Sequence, residues 1–447
     1  MRFSRVLWLP AAVLVSTLCG DAQLTPESAE TALRKALDAA AARQGNGGWG
    51  HAYTRDGAIM WGEHTPKPKG WITVQPPGTP TVGSVFVHAA RVLNAPEYAE
   101  VARDARDALR AIQSAAGGFP HEGNPEAGPS PRGTFDDDTT TGALRFLLAW
   151  WEYTRAEEDW KTVMRVGDFI LKAQYPDSGG WPQSYPPPGG YGKYITFNDN
   201  NIEKIMDVLL DLYARTGEQR FLDAAKKGGE CILRLQGGPG EAIWAQQYDK
   251  ETLEPAWARK FEPPGYTPAE SVGVCNTLIA LFLATGEKRF LEPLPRAFEW
   301  YETHRLENGK YARLYEPATQ RPVYGRRDKA EKVYDFKNAC SGYAWQGNWY
   351  PHGAKQAYDR IEELGRDAYL AGREKEKPES EDLERPAVSV IAGLEDNGEW
   401  LRGPTERERA EYEKRGIPED MPIVSMGVFV RNARTLLLYL EAVKESP

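Results

Sequence analysis

The chain has 447 residues, enough for one large domain or two ordinary ones with an ample core. Its formal net charge of −9 speaks against nonspecific nucleic-acid binding, while leaving room for a local basic cleft that takes an acidic substrate. The 14 Trp and 21 Tyr could supply platforms for sugar rings, although many of them must serve the core.

At the start of the chain, Arg2 and Arg5 precede an apolar run from Val6 to Leu18 and small residues near Gly20 and Ala22. This pattern predicts a secretory signal peptide over residues 1–22, too short for a transmembrane helix, and an exported protein, periplasmic or extracellular. No later segment reads as able to cross a bilayer. Loss of the leader removes Cys19 and leaves Cys231, Cys275 and Cys340, an odd and scattered set that is no disulfide framework. Cys231 and Cys275 fall on apolar helical patterns and read as core.

Two repeats run through residues 23–352. Thr216-Gly217-Glu218-Gln219-Arg220-Phe221-Leu222 returns as Thr285-Gly286-Glu287-Lys288-Arg289-Phe290-Leu291, with looser copies at Thr154 to Trp160 and Asn94 to Tyr98. Each copy separates an apolar helical pattern from an amphipathic one. Out of phase with it, Gly47-Gly48-Trp49-Gly50 returns as Gly117-Gly118-Phe119-Pro120 and Gly179-Gly180-Trp181-Pro182, with degenerate copies at Gly238 to Trp244 and Asn308 to Tyr311. The unit is helix, short turn, helix, long Gly-rich loop, with a period of roughly 60–70 residues. A hairpin of two helices cannot bury its apolar faces alone, so the units must stack. The expected fold is all-α: an α/α toroid, an incomplete ring of αα-hairpins with every long Gly-rich loop on one rim. Residues 353–447 read as a charged segment, solvated helix or linker, densest at Gly372 to Lys377, followed by a C-terminal helix that packs on the toroid.

The long loops concentrate charge. Asp136-Asp137-Asp138 lies in one, Asn198-Asp199-Asn200 in the next, Arg259 in the one after, and Lys310, Arg313, Arg321 and Arg327 in the last. Asp138 and Asp199 each precede an apolar helical pattern, so helix capping competes with a functional role. Three consecutive aspartates exceed what a cap needs. Carboxylates from two loops on one rim would suit a hard cation such as calcium, although the spacing is not that of an EF-hand. Arginines beside them would suit a polyanion. The six histidines form no metal motif, and His51 and His64 read as loop residues without a chemical role. The chain has no nucleophile elbow, P-loop or zinc pattern.

Several stretches resemble the family 10 polysaccharide lyases, the pectic acid lyases. They are Gly-Gly-Trp-Pro-Gln-Ser-Tyr-Pro at 179–186, Ile-Thr-Phe-Asn-Asp-Asn at 195–200, Pro-Ala-Trp-Ala-Arg at 255–259 and Ala-Glu-Ser-Val-Gly at 269–273. Ala-Arg-Leu-Tyr-Glu at 312–316, Arg-Pro-Val-Tyr at 321–324, Arg327-Asp328 and Gly347-Asn348-Trp349 extend the match. The resemblance implies a toroid-like catalytic domain that cleaves polygalacturonate by calcium-assisted β-elimination. It makes Arg259 the base that removes the C5 proton. It places Asp199 and Asp136 at calcium, and Arg321 and Arg327, with Lys310 and Arg313, on uronate carboxylates. A cleft crowded with cations is expected to lower the pKa of Arg259. One departure stands out: the family usually has Asp-Asn where this chain has Asp136-Asp137. The expected partner is an acidic polysaccharide, with no nucleic acid and no membrane, and the expected state is a monomer. Three alternatives stay open: a toroid hydrolase of unsaturated uronides, a non-catalytic pectin-binding relative, and an isoprenoid cyclase with its Gln and Gly-x-Trp repeats.

Overall fold

The computed structural model describes residues 24–238, 240–373 and 380–445. The expected leader at 1–22 and most of the charged run from Gly372 to Lys377 lie outside them. The helices are α1 (Pro26–Ala41), α2 (Thr79–Val92), α3 (Pro96–Ile112), α4 (Thr139–Thr154), α5 (Glu157–Ala173), α6 (Asn201–Thr216) and α7 (Gln219–Leu235). They continue as α8 (Pro268–Thr285), α9 (Leu294–Thr303), α10 (His352–Leu364), α11 (Arg366–Arg373), α12 (Ser380–Ala392), α13 (Glu406–Arg415) and α14 (Met426–Glu445).

The short turns show why Thr and Gly recur. Gly217 and Gly286 take left-handed conformations, with φ of 68° and 75°, and end α6 and α8 by donating to Tyr213 and Phe282. One residue on, Glu218 and Glu287 donate their backbone N–H to the hydroxyls of Thr216 and Thr285 at 3.0 and 3.1 Å. Thr154 does the same for Ala156 at 3.2 Å. The turn reverses the chain, so each apolar helix pairs with the amphipathic one that follows.

The apolar helices form the inner layer. They neighbour one another in the order α14, α2, α4, α6, α8, α10, while α3, α5 and α7 cover them from outside. The protein is an all-α, α/α toroid with its long loops on one rim. Helix α8 is long and apolar enough to cross a membrane by length and composition, contrary to the expectation that no segment after the leader could be. Here it is a mostly buried inner helix between α6 and α10. Cys231 and Cys275 are buried in this core.

The second repeat is a clamp between neighbouring hairpins. The indole N–H of Trp49, Trp181 and Trp244 donates to Ala40, Ile170 and Ile232, each in the outer helix just before it. Gln44, Gln174 and Gln236 each donate twice. One bond goes to a carbonyl of their own loop, at Gly47, Gly179 and Ala242; the other goes to Val101, Ala224 and Pro293 of the next hairpin. Glycine is required because the loop runs directly against the next outer helix. At Gly47, Gly117 and Gly179, all with positive φ, a Cβ would collide with the carbonyls of Asp104, Arg165 and Lys227.

The same device occurs once more, unnoticed in the sequence. Trp400 donates to Val390 at 2.9 Å, and Gly398, with φ of 83°, lies against the carbonyl of Lys35 in α1. The C-terminal segment therefore meets the first helix as one hairpin meets the next, and α14 packs on α1, α2 and α12. Gly398→Ala is expected to destabilise the protein by about 1–3 kcal/mol, the size of a residue forced into a strained conformation. Denaturant unfolding would measure it, and an unchanged midpoint would contradict this seam. After residue 353, α10 is exposed over much of its surface, as a charged solvated helix would be, but it packs against α8 along one face. Ala354, Ala357, Tyr358 and Ile361 form an apolar stripe on α10, with Ala354 and Ile361 buried. A stripe of four residues is hard to see amid so many charges.

The rim loops are stapled to one another by short antiparallel pairs. Ile72–Thr73 pairs with Glu122–Gly123, Gly133–Thr134 with Ser184–Tyr185, and Ile195–Thr196 with Gln247–Tyr248. Tyr266 bridges to Tyr315. Ala52–Thr54 joins Met60–Trp61 on one side and Ile423–Ser425 on the other, and Ile423–Ser425 also pairs with Leu401–Arg402. Each loop is thereby held in register with the next.

Candidate active site

Two short 3-10 turns at the mouths of α4 and α6 carry the acidic residues and lie against each other. Phe135 and Phe197, both buried, anchor them. The turns are structural copies. Asp137 and Asp138 have φ of 51° and 61°; Asp199 and Asn200 have φ of 54° and 58°. Two left-handed residues in a row strain most side chains, and Asp and Asn tolerate them best. The equivalent of Asp199 is therefore Asp137, rather than Asp136. Neither Asp138 nor Asn200, at the N-caps of α4 and α6, makes a side-chain capping bond. Asp138 instead accepts from the Thr141 hydroxyl at 2.6 Å and from Arg145 at 2.8 Å. Helix capping does not account for either turn.

Asp136, Asp137 and Asp199 line one cleft of about 620 Å³. His121 lines it too, and its imidazole lies within 4.8 Å of ligand atoms on Asp136 and Asp137. The six histidines form no metal motif along the chain, yet His121 stands in space among these carboxylates. His121 follows Gly-Gly-Phe-Pro directly, and only the loop pairing at Glu122–Gly123 turns it towards the aspartates. Burial opposes ionisation of Asp136, but the His121 imidazole and the Gln183 amide hold its carboxyl below the usual range. Burial also opposes the charged form of His121, and Asp136 outweighs it and raises the imidazole. Asp137 is pushed up by burial and by Asp136. Asp199 is pushed up to about 7 by burial, then by the charges of Asp137 and Asp136.

These carboxylates repel one another, and further oxygens nearby lack partners. Oδ1 of Asp136 and Oε1 of the buried Gln247, also in the cleft wall, accept no hydrogen bond from the protein. Crowded carboxylates with an unpaired amide oxygen fit a hard divalent cation.

Arg259 stands in the same cleft on the loop after Trp257. Its guanidinium lies over Phe261 and grips Glu262, with Nε at 2.6 Å from Oε2. Glu262 is buried and also accepts from Tyr343 at 3.0 Å. The expectation of a lowered Arg259 pKa meets a different environment. Burial does lower it, but the pairing with Glu262 outweighs burial and holds Arg259 well above its ordinary value. The immediate neighbour is a carboxylate where cations had been expected.

The remaining basic residues divide. Arg313 is largely buried, pairs with Glu270 at 2.5 Å, and places its charge close enough to Asp199 to favour that carboxylate's ionised form. Arg327 is exposed and shares the Phe261 ring with Arg259, 4.4 Å from its centroid. Arg321 lies over Tyr334, and Lys310 is exposed on the turn after Leu306; none of Arg313, Arg327, Arg321 and Lys310 is among the residues lining the cleft. Glu63, Lys67 and Gln75 do line it, from the first long loop, and Gln75 donates to Asp137 at 3.1 Å. No motif marked these three.

Fold and cleft together define an α/α-toroid protein whose loop rim carries clustered carboxylates faced by an arginine. Residues 121–313 match the family model of the pectic acid lyases. Among solved structures, a family 10 polysaccharide lyase from Cellvibrio cellulosa is similar at 22% identity and a TM-score of 0.50, over 64% of this chain and 97% of that one. A mutant of that lyase in complex with trigalacturonic acid gives the same identity and score, over 64% and 98%. An unsaturated glucuronyl hydrolase specific for heparin aligns over 94% of this chain and 97% of its own, at 12% identity and a TM-score of 0.46. No curated protein matches by sequence.

Proposed function

We propose that the protein is a pectate lyase that cleaves polygalacturonate by β-elimination. The observation that carries this reading is the cleft in which Asp136, Asp137 and Asp199 stand together with Arg259. The family match over 121–313 supports it. So does the trigalacturonic acid in the complex of the similar lyase.

In this reading Arg259 takes the proton from C5, beside the uronate carboxylate. The C5–H electron pair forms the C4–C5 double bond, the C4–O bond breaks, and the departing oxygen takes a proton from solvent. The proton to be removed is weakly acidic, so the charge developing on the neighbouring carboxylate must be stabilised. Asp136, Asp137 and Asp199, with His121 and Gln247 beside them, would hold calcium, which when bound supplies positive charge to that carboxylate. Arg313, whose charge reaches Asp199, and Arg327, which shares the Phe261 ring with Arg259, would take other uronate carboxylates. Lys310 and Arg321 would serve as contacts outside the cleft. Arg259 accepts a proton only as the neutral guanidine, whereas Glu262 favours the charged form. Activity should therefore climb with pH well into the alkaline range.

The acidic polymer is taken from outside the cell, in keeping with the leader read at residues 1–22. The test is incubation with polygalacturonate, with calcium and then with chelator, followed by ultraviolet absorbance of the conjugated unsaturated uronide. Absorbance that grows with calcium and stops with chelator supports the reading. Reducing ends without absorbance would make the protein a hydrolase, and binding without either would make it a non-catalytic pectin binder.

A further inference from the structure

Beside the cleft lies a second hollow of about 430 Å³ that the catalytic reading leaves without a role. The two share Glu63 and His64 as a common wall, and these side chains pair with each other at 3.0 Å. One side of the hollow is Ala52 and Trp61 in the rim sheet; the other is the start of α13. The pairing of Ala52–Thr54 with Ile423–Ser425, and of these with Leu401–Arg402, fixes the two sides relative to each other. None of this lies in the stretch 121–313 that matches the family.

The charges in the hollow are unequal in availability. Arg402 grips Glu408 with both terminal nitrogens, at 2.8 and 2.6 Å, and Glu408 also closes the first turn of α13 through Thr405. Arg402 is thus occupied. Arg407 is exposed and, among the described residues, has no carboxylate partner. Trp61 also lines the hollow. It is 4% exposed, yet its indole N–H finds no acceptor in the protein. A buried donor left unpaired destabilises a fold unless something else satisfies it.

We propose that this hollow is a distal subsite for the same acidic polysaccharide, in which Arg407 takes a uronate carboxylate and the Trp61 N–H takes a sugar oxygen. The proposal rests on the polyuronate reading of the cleft. A polyanion leaving the cleft past Glu63 and His64 meets an open guanidinium, the group best shaped to hold a carboxylate with two bonds. The N-terminal loop and the C-terminal segment thereby lengthen the binding groove beyond the family's share of the chain.

The test is kinetics on galacturonate oligomers of increasing length, comparing wild type, Arg407→Ala, Arg407→Lys and Trp61→Phe, with calcium present throughout. The loss in kcat/KM for Arg407→Ala is expected to grow with length, reaching about tenfold for long oligomers, the worth of one charge-assisted contact. Arg407→Lys should recover part of it. Trp61→Phe should show a smaller loss with the same length dependence. A loss independent of length, or none, overturns the proposal. Should wild type release no unsaturated product at any length, the catalytic reading fails first. The subsite is then judged by polygalacturonate affinity, where equal binding by wild type and Arg407→Ala overturns it.

Discussion

Arg259→Ala is expected to lower elimination about 10²–10⁴-fold, the range for one positioned proton-transfer group. The fold should survive the change. Arg259 is partly exposed, and the buried Glu262 keeps two donors without it, the Tyr343 hydroxyl and the backbone N–H of residue 259. Arg259→Lys retains positive charge near Glu262 but loses the planar fork, so it should remain nearly as inactive. Rates on polygalacturonate, with circular dichroism on the same samples, check both variants. The pH profile adds a sign. Glu262 holds the guanidinium charged, so the proton-accepting fraction rises with pH and activity should rise with it. A profile that falls above neutral pH would show that Arg259 acts as a fixed charge.

Asp199→Asn should abolish calcium binding by calorimetry and yet stabilise the protein in chelator. The Asp199 carboxyl is pushed up to about 7 from an ordinary 3.8, by burial and by Asp137 and Asp136. Between those values the folded protein keeps a proton that the unfolded chain has released, so stability falls as pH rises through this window. Above about 7 the penalty is complete, at most roughly 4 kcal/mol at about 1.4 kcal/mol per tenfold change in proton affinity. Removing the charge removes the slope. In chelator above neutral pH, Asp199→Asn should have a higher Tm than wild type, and calcium should raise the Tm of wild type alone. Equal Tm values in chelator would mean that the three aspartates do not strain one another.

The repeated part of the fold was legible because its physics is local. A left-handed Gly after Thr, and an indole that reaches back to its own outer helix, leave fixed residues at fixed spacing. Gly398 and Trp400 follow the same rules but escaped notice, because they stand alone after a long charged stretch. The cleft was legible only where one loop carried its chemistry. Asp136, Asp199 and Arg259 stand in conspicuous stretches and meet in one cleft. His121, Gln247 and Glu262 reach it through loop pairing or a tight turn, and Tyr343 meets Glu262 from 81 residues away. The sequence offers no spacing for such contacts. Arg259 differs from the expectation for a local reason: its closest charged neighbour is the buried carboxylate of Glu262, three positions on, and which of the nearby charges it meets depends on the turn between them.

The most direct test of the account is the mass of the products from a short galacturonate oligomer. Elimination divides the substrate into one ordinary saccharide and one that is lighter by a water, carrying the C4–C5 double bond. The account predicts this unsaturated product with calcium and its disappearance in Arg259→Ala. Two fully hydrated saccharides from the wild-type protein would contradict it.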